Sequence, residues 1–308
     1  MEYISTRDDK KIIKSTKPFL KWAGGKGQLL SDIRKSYPKE LGNKINKYAE
    51  PMVGGGAVLF DILSNYQMDE VYINDINIDL INAYKTVKEQ VKELIKLLEV
   101  YQFEYVPMKT EDRKEYYYDK RDRFNAIKLN GNKVNVEKAA LLIFLNKTCF
   151  NGLYRVNKSG GFNVPMGAYK NPCICDKENL INVSKALQNV TIHCGEYTHS
   201  EEFIDKNTFV YIDPPYRPLS ETSSFTSYNE SEFGDKEQIE LSEFANILKS
   251  KKAKVVLSNS DPKNADENDN FFDEIYKEFV IKRVKATRMI SSKSSSRGKI
   301  NELLIANY

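Results

Sequence analysis

Four consecutive apolar residues, Phe209-Val210-Tyr211-Ile212, run without a break into Asp213-Pro214-Pro215-Tyr216. A short apolar run ended by turn residues reads as a strand buried on both faces, as in a parallel sheet covered by helices. Such sheets bind ligands beyond the carboxyl ends of their strands, where Asp213 stands. The two prolines stiffen the backbone, so the Asp213 carboxylate and the Pro214 carbonyl can point one way. Two acceptors facing one point suit the two hydrogens of an exocyclic amino group. Engaging both draws the nitrogen lone pair out of ring conjugation and makes a poor nucleophile better, while Tyr216 offers a face on which a planar ring can stack.

The rest of the chain fits the same kind of sheet. Lys47 to Pro51 reads as a strand entering Val53-Gly54-Gly55-Gly56, and Ala57 to Tyr66 has helical character. Glu70 to Asn74 reads as a second strand ending at Asp75. Apolar residues then recur at helical spacing from Ile78 to Tyr101. A charged, Tyr-rich stretch leads to a buried helix over Val136 to Leu145, followed by a Gly/Asn-rich segment, 151–165, with the look of a hairpin. A helix near Glu178 to Gln188 and strands at Val190 to His193, Lys254 to Ser258 and Glu302 to Asn307 complete the pattern. The alternation implies a largely parallel α/β sheet interrupted by a separate middle segment. The Ser/Thr-rich tracts Leu219 to Glu232 and Ser291 to Arg297 read as mobile loops.

A glycine-rich turn between strand and helix lets backbone N–H groups approach a ligand, and Gly54-Gly55-Gly56 has that placement. Twenty residues after Gly55, Asp75 closes the next strand, where a carboxylate can accept from ribose hydroxyls. Together they predict a nucleoside cofactor. A nicotinamide dinucleotide is disfavoured, since Leu59 stands where the fingerprint needs its third glycine. Nor is Ala23-Gly24-Gly25-Lys26-Gly27 a P-loop, because Gly27 replaces the magnesium-holding Ser/Thr and Leu20 the first glycine.

The net charge of +4 hides a strong segregation. Residues 1–35 carry nine Lys+Arg against four Asp+Glu, residues 109–170 thirteen against six, and residues 276–300 eight against one. Gathered on one face, these stretches would suit a polyanion, and Tyr154 and Tyr169 interleave with them. Four scattered cysteines, Cys149, Cys173, Cys175 and Cys194, make no disulfide framework and match no zinc-finger spacing with His193. The N-terminus lacks the apolar core of a signal peptide, and no run is long enough to span a bilayer, which implies a cytoplasmic protein with no membrane partner. Pro172-Cys173 resembles the nucleophile dipeptide of cytosine-5 methyltransferases, yet no apolar strand precedes it.

Five blocks in order resemble the Dam-type DNA adenine-N6 methyltransferases, a family that includes GATC-specific modification enzymes of restriction systems. They are Phe19 to Lys26, Glu50 to Ala57, Ile73 to Asn77, Asn151 to Asn157 and Asp213 to Tyr216. The resemblance implies a Rossmann-like S-adenosylmethionine-dependent methyltransferase sheet with an inserted, mainly helical DNA-recognition domain carrying a β-hairpin. Residues 1–77 and 176–308 would form the discontinuous catalytic domain and 78–175 the target recognition domain. It implies S-adenosyl-L-methionine as cofactor, held by Trp22, Ala23, Gly24, Lys26, Glu50, Pro51, Gly54, Gly55, Gly56, Asp75 and Asp213, with Glu196 and Tyr197 near its adenine. Catalysis falls to Asp213, Pro214, Pro215 and Tyr216. Contact with double-stranded DNA falls to Lys21, Phe150, Asn151, Leu153, Arg155, Asn157 and Tyr169, with Lys14 in a basic N-terminal arm touching phosphates only. Glu196 stands where the family usually has Asp, and Ala168 where some members have Arg.

The implied reaction is methylation of adenine N6 in GATC after the base has been flipped out of the duplex. It needs no metal, since the leaving group is already activated by its positive charge. A cognate restriction endonuclease would act beside the enzyme without binding it. The rival readings are a catalytically silent DNA-binding regulator with the same fold, against which the intact Asp213 and Tyr216 argue, and an RNA or glutamine N-methyltransferase, which usually has Asn at the position of Asp213.

Overall fold

The computed structural model describes residues 16–129, 133–217, 233–287 and 299–308. Lys14 and the tracts 219–232 and 291–297 lie outside the described residues. Seven strands, β1 (Lys47–Glu50), β2 (Glu70–Asp75), β3 (Val190–Cys194), β4 (Thr208–Ile212), β5 (Lys254–Ser260), β6 (Val280–Thr287) and β7 (Lys299–Ala306), form one sheet in the order β3-β2-β1-β4-β5-β7-β6. β1 to β5 are parallel, and β7 runs antiparallel between β5 and β6. This is the doubly wound nucleotide-binding order with a reversed strand inserted near one edge. The chain moves outward from β1 to β3, then returns to β4 beside β1. That reversal opens a crevice at the carboxyl ends of β1 and β4, where the glycine turn and Asp213 emerge.

Alternation along the central strands builds a core on each face. Tyr48 of β1 and Phe209 and Tyr211 of β4 join one cluster with Ile33 of α1 (Leu30–Arg34) and with α2 (Ala57–Asn65), α3 (Ile78–Glu89) and α7 (Lys177–Ala186). Ala49, Val210 and Ile212 face the other way. They pack with Leu241, Phe244 and Leu248 of the helix Asp235–Ser250 and Phe272 of the helix Phe271–Ile275. Every residue of β4 is buried, as its apolar run requires. The described residues contain no helix long and apolar enough to cross a membrane.

Two expectations change. The helical pattern from Ile78 to Tyr101 is two helices, α3 and α4 (Val91–Tyr105), because Gln90 leaves helical geometry (φ −134°, ψ 38°) while its N–H still bonds the Thr86 carbonyl. The break lets the two apolar stripes diverge: α3 lies against β2 and β3 of the sheet as well as α6 (Val136–Thr148) and α7, whereas α4 packs on α6 and α7. The Tyr-rich stretch is itself a helix, α5 (Thr110–Ala126), which buries Tyr117 and Phe124, seven residues apart on one face. Helix α6 is buried nearly all round, as a helix apolar on every side must be. Its Phe144 receives the ring edges of Tyr101, Tyr105 and Tyr116.

The hairpin forms as a loop closed by isolated bridges, Cys149 to Met166 and Val156 to Phe162, rather than by long strands. Side chains replace the missing ladder. Asn125 of α5 donates to the Phe162 carbonyl (3.1 Å) and accepts from its N–H (2.8 Å), and Tyr117 donates to the Val164 carbonyl (2.9 Å). Several cations of segment 109–170 are likewise spent inside the fold. Buried Lys138 donates to the Phe124 and Ile127 carbonyls, and Arg113 binds the carbonyls of Tyr105, Val106, Tyr169 and Lys170.

Candidate active site

The crevice is a cavity of about 1560 Å³ whose walls include Trp22 to Lys26, Glu50 to Gly56, Asp75, Glu196, Tyr197 and Asp213 to Tyr216. Every position expected at the cofactor and every position expected to be catalytic therefore meets in one space. Most of the DNA-contact positions lie elsewhere, on the hairpin; Lys21 alone of them lines the cavity.

The glycine turn is required by geometry. Gly54 and Gly56 have φ of +47° and +71°, in the left-handed region that side chains resist. A Cβ on Gly54 would come within 3.0 Å of the Trp22 ring, and one on Gly56 within 2.5 Å of the Tyr84 hydroxyl. Asp75 closes the turn from β2: its Oδ2 accepts from Gly54 N (3.0 Å) and its Oδ1 from Asn77 N (2.9 Å). Burial pushes the Asp75 carboxyl above its ordinary range, opposed by the backbone N–H groups of Asn77, Gly54 and Ile76. Glu50, 2% exposed, accepts from the Tyr48 hydroxyl at 2.7 Å. Burial, reinforced by the charges of Asp213 and Asp75, pushes its carboxyl up to about 8 against that hydrogen bond.

On the other side, Asp213 Oδ1 accepts from Lys26 Nζ (2.7 Å) and from Ser258 Oγ (2.9 Å). Burial raises the Asp213 carboxyl, and these two donors act in the opposite direction. Lys26 Nζ also donates to the Gly24 carbonyl (2.6 Å) and lies 4.6 Å from the centre of the Tyr216 ring. The Tyr216 hydroxyl donates to Glu302 Oε2 of β7 at 2.6 Å, which fixes the ring's tilt. Burial, with Asp213 and Glu302 close by, raises the phenol and keeps it protonated. Gln238 holds the Pro215 carbonyl (3.0 Å), and Arg217 is pinned by Asp235 and Asp269 at 2.6 Å each. Among the described residues no donor reaches the Pro214 carbonyl.

Side chains to which the motifs assign no role hold the crevice together. Asn74, fully buried, donates to the carbonyls of Pro51 (3.0 Å) and Gly195 (2.8 Å), tying the exits of β1, β2 and β3. Its Oδ1 meets His193 Nδ1 at 3.0 Å, which accounts for a histidine with no evident role in the sequence. Asn146, at the end of α6, accepts from Lys21 N and donates to the carbonyls of Lys21 and Gly152 (2.8, 2.8 and 2.9 Å). Asn74 falls inside the block Ile73 to Asn77 without a role of its own there, and Asn146 lies five residues before the block that begins at Asn151.

That asparagine clamps the N-terminal segment to the hairpin. Lys21 lies directly on Gly152, and its Nζ donates to the Tyr169 hydroxyl (3.3 Å). Trp22 stacks on Tyr154 with ring centres 5.2 Å apart, and the Tyr154 hydroxyl donates to Asp79 (2.9 Å). Phe150 is 52% exposed, and Asn151 has φ +55°. Arg155 Nε donates to Asn163 Oδ1 at 2.7 Å. Asn157 differs from the other hairpin positions, since its Oδ1 accepts from Ser159 N, Ser159 Oγ and Gly161 N and so closes the turn. Leu153 is half-buried against the core.

One side of this crevice is a glycine turn whose Cβ positions are closed off by Trp22 and Tyr84, so that backbone lies bare beside Glu50 and Asp75, with Asp213 lining the same cavity; it fits a nucleoside bearing positive charge. The other side offers acceptors and a ring to an aromatic amine. A doubly wound sheet with those two sides facing each other belongs to the S-adenosylmethionine-dependent methyltransferases that modify amino groups.

Comparison with known proteins narrows the class. Residues 22–290 match the family model of the D12 class N6 adenine-specific DNA methyltransferases, and the chain belongs to that family. It is 52% identical over 295 residues to the type II methyltransferase M.MjaIII of Methanocaldococcus jannaschii, covering 95% of this chain and 99% of that protein. It is 42% identical to the type II methyltransferase M1.LlaDCHI of Lactococcus lactis subsp. cremoris, covering 95% of each chain. The DNA adenine methylase of Haemophilus influenzae is 37% identical, with 94% and 92% covered. The protein is thus an enzyme that transfers a methyl group from S-adenosylmethionine to N6 of adenine in double-stranded DNA.

Proposed function

We propose that the enzyme methylates the adenine of GATC, with residues 78–175 presenting the recognition hairpin and the remainder performing the transfer. The carrying observation is Asp213 at the carboxyl end of β4, followed by Pro214, whose carbonyl is met by no donor among the described residues, beside a Tyr216 ring fixed by Glu302. A flipped adenine stacked on Tyr216 gives one N6 hydrogen to the Asp213 carboxylate and the other to the Pro214 carbonyl. Both bonds localise the lone pair on nitrogen, and fixing it in line with the methyl donor supplies much of the rate. Trp22, the glycine turn, Asp75 and Glu50 would hold S-adenosylmethionine, which when bound supplies a methyl group on positively charged sulfur. Glu196 and Tyr197 would flank its adenine.

Lys21 and Tyr169, joined across the hairpin base, together with Arg155, form the base-reading set. Phe150 is the aromatic wedge, while Asn151, Leu153 and Asn157 shape the loop that carries them. The two type II relatives support a place in a restriction-modification system; in this reading the endonuclease acts on the same site without contacting the methyltransferase, and both work in the cytoplasm. The intact Asp213 and Tyr216 stand against a silent regulator. The test is to sequence modified bases in DNA from a methylation-free host expressing the enzyme. N6-methyladenine at GATC is expected, and methylation at a different motif would overturn the GATC reading. Asp213→Ala should abolish transfer of labelled methyl groups while retaining DNA binding; wild-type turnover in that variant would sink the catalytic assignment.

A further inference from the structure

We propose that Ser258, oriented by Tyr211, is a positioning residue for methyl transfer: together with Lys26 it occupies Oδ1 of Asp213, so that Oδ2 is the oxygen presented to the target amine. The inference rests on the reading of Asp213 as the amine acceptor. Tyr211 lies one strand position before Ile212 on β4, and Ser258 lies on the neighbouring β5; both are essentially without solvent contact. The Tyr211 hydroxyl donates to Ser258 Oγ at 3.0 Å, and Ser258 Oγ donates to Asp213 Oδ1 at 2.9 Å.

A serine hydroxyl has one hydrogen. With a tyrosine donating to its oxygen, that hydrogen is directed to Asp213. The arrangement cannot readily reverse, because the ionised Asp213 carboxylate has no hydrogen to give and can only accept from Ser258, which leaves the Ser258 oxygen to accept from Tyr211.

Such a relay has a purpose at this position. The last torsion of an aspartate is broad, so a carboxylate held by one partner can rotate and exchange its oxygens. Two donors converging on Oδ1 from different elements, Lys26 at 2.7 Å and Ser258 at 2.9 Å, fix that rotation. The second consequence concerns charge. Asp213 is faced by Lys26 from the N-terminal segment, Glu50 from β1, Tyr211 from its own strand, Ser258 from β5 and, across Tyr216, Glu302 from β7. Lys26 is the only cation in that set, and two of its members are acids. Hydrogen bonds to the charged form therefore matter for keeping the carboxylate ionised, and losing the Ser258 donor should raise its titration point.

The test uses the full-length enzyme and a GATC duplex. Ser258→Ala should lower kcat about 10- to 100-fold, the loss of a hydrogen bond to a charged group. DNA and cofactor affinities by calorimetry should stay within about twofold. The acid limb of kcat against pH should move to higher pH, since a carboxylate with one donor fewer takes its proton sooner. Ser258→Thr, which keeps the hydroxyl, should recover most of the rate, and Tyr211→Phe should give a smaller fall with the limb displaced the same way. Unchanged rate and pH profile in both Ser258→Ala and Tyr211→Phe would overturn the proposal. So would a rate loss with an unmoved acid limb. Absence of methyl transfer by the wild-type enzyme would instead remove the reading of Asp213 on which the proposal rests.

Discussion

Gly56→Ala probes the cofactor turn at its most demanding point. Gly56 caps α2 with φ +71°, so any other L-residue there costs about 1–2 kcal/mol from the left-handed backbone alone. The added methyl would also sit 2.5 Å from the Tyr84 hydroxyl and 3.2 Å from the Phe60 ring. Tyr84 cannot swing aside: it is fully buried, stacked on Phe60, edge-on to Phe19 and bonded to the Gly54 carbonyl at 3.1 Å. Overpacking of that kind adds about 1–3 kcal/mol, giving an expected loss of about 2–5 kcal/mol in urea-denaturation stability, with cofactor affinity falling as the turn shifts.

Tyr84→Phe separates the two contributions. Alone it should cost about 0.5–1.5 kcal/mol, the value of the lost hydrogen bond. Combined with Gly56→Ala it removes the clashing oxygen, so the double variant should be more stable than the sum of the single losses predicts by about 1 kcal/mol or more. A loss below about 1 kcal/mol for Gly56→Ala, or strict additivity in the pair, would refute the argument that this turn is glycine for steric reasons.

Two further outcomes follow from the same geometry. Burial pushes the Glu50 carboxyl up to about 8 in the folded chain from the ordinary value of 4.5, so the stability it contributes is complete below about pH 4.5 and is lost as pH rises through about 8. Glu50→Gln should remove that slope, which approaches 1.4 kcal/mol per pH unit between those limits, and parallel stability profiles of the two proteins from pH 5 to 8 would count against it. Arg155→Ala should cost about 1–3 kcal/mol of discrimination at one base pair of GATC. Methylation of duplexes substituted at each position measures this, and a uniform loss at all positions would mark Arg155 as a phosphate contact instead.

Where function depends on neighbours in the chain, the sequence was sufficient. An apolar run ending in Asp213-Pro214-Pro215-Tyr216 announces a buried strand with acceptors at its carboxyl end, and the spacing from Gly55 to Asp75 announces adjacent parallel strands. Both signals are local, set by the period of a strand and the conformational freedom of glycine. The elements it left unread carry weak local signals. Helix α5 is too charged to show a stripe, the helix Asp235–Ser250 follows a Ser/Thr tract, and β6 is an edge strand whose lysines and arginine blur its alternation. The break at Gln90 carried no local signal either, because it serves the separate packing of α3 and α4.

What only the tertiary structure decided is how the charged groups are paired. Lys26 reaches Asp213 from the far end of the chain, Ser258 reaches it from the next strand, Glu302 holds Tyr216 from the reversed strand, and Asn146 fastens Lys21 to the hairpin. Each is a polar side chain of a type common on any surface. Its partner is chosen by strand order and by the need to satisfy buried donors and acceptors, and neither is written in the residues beside it.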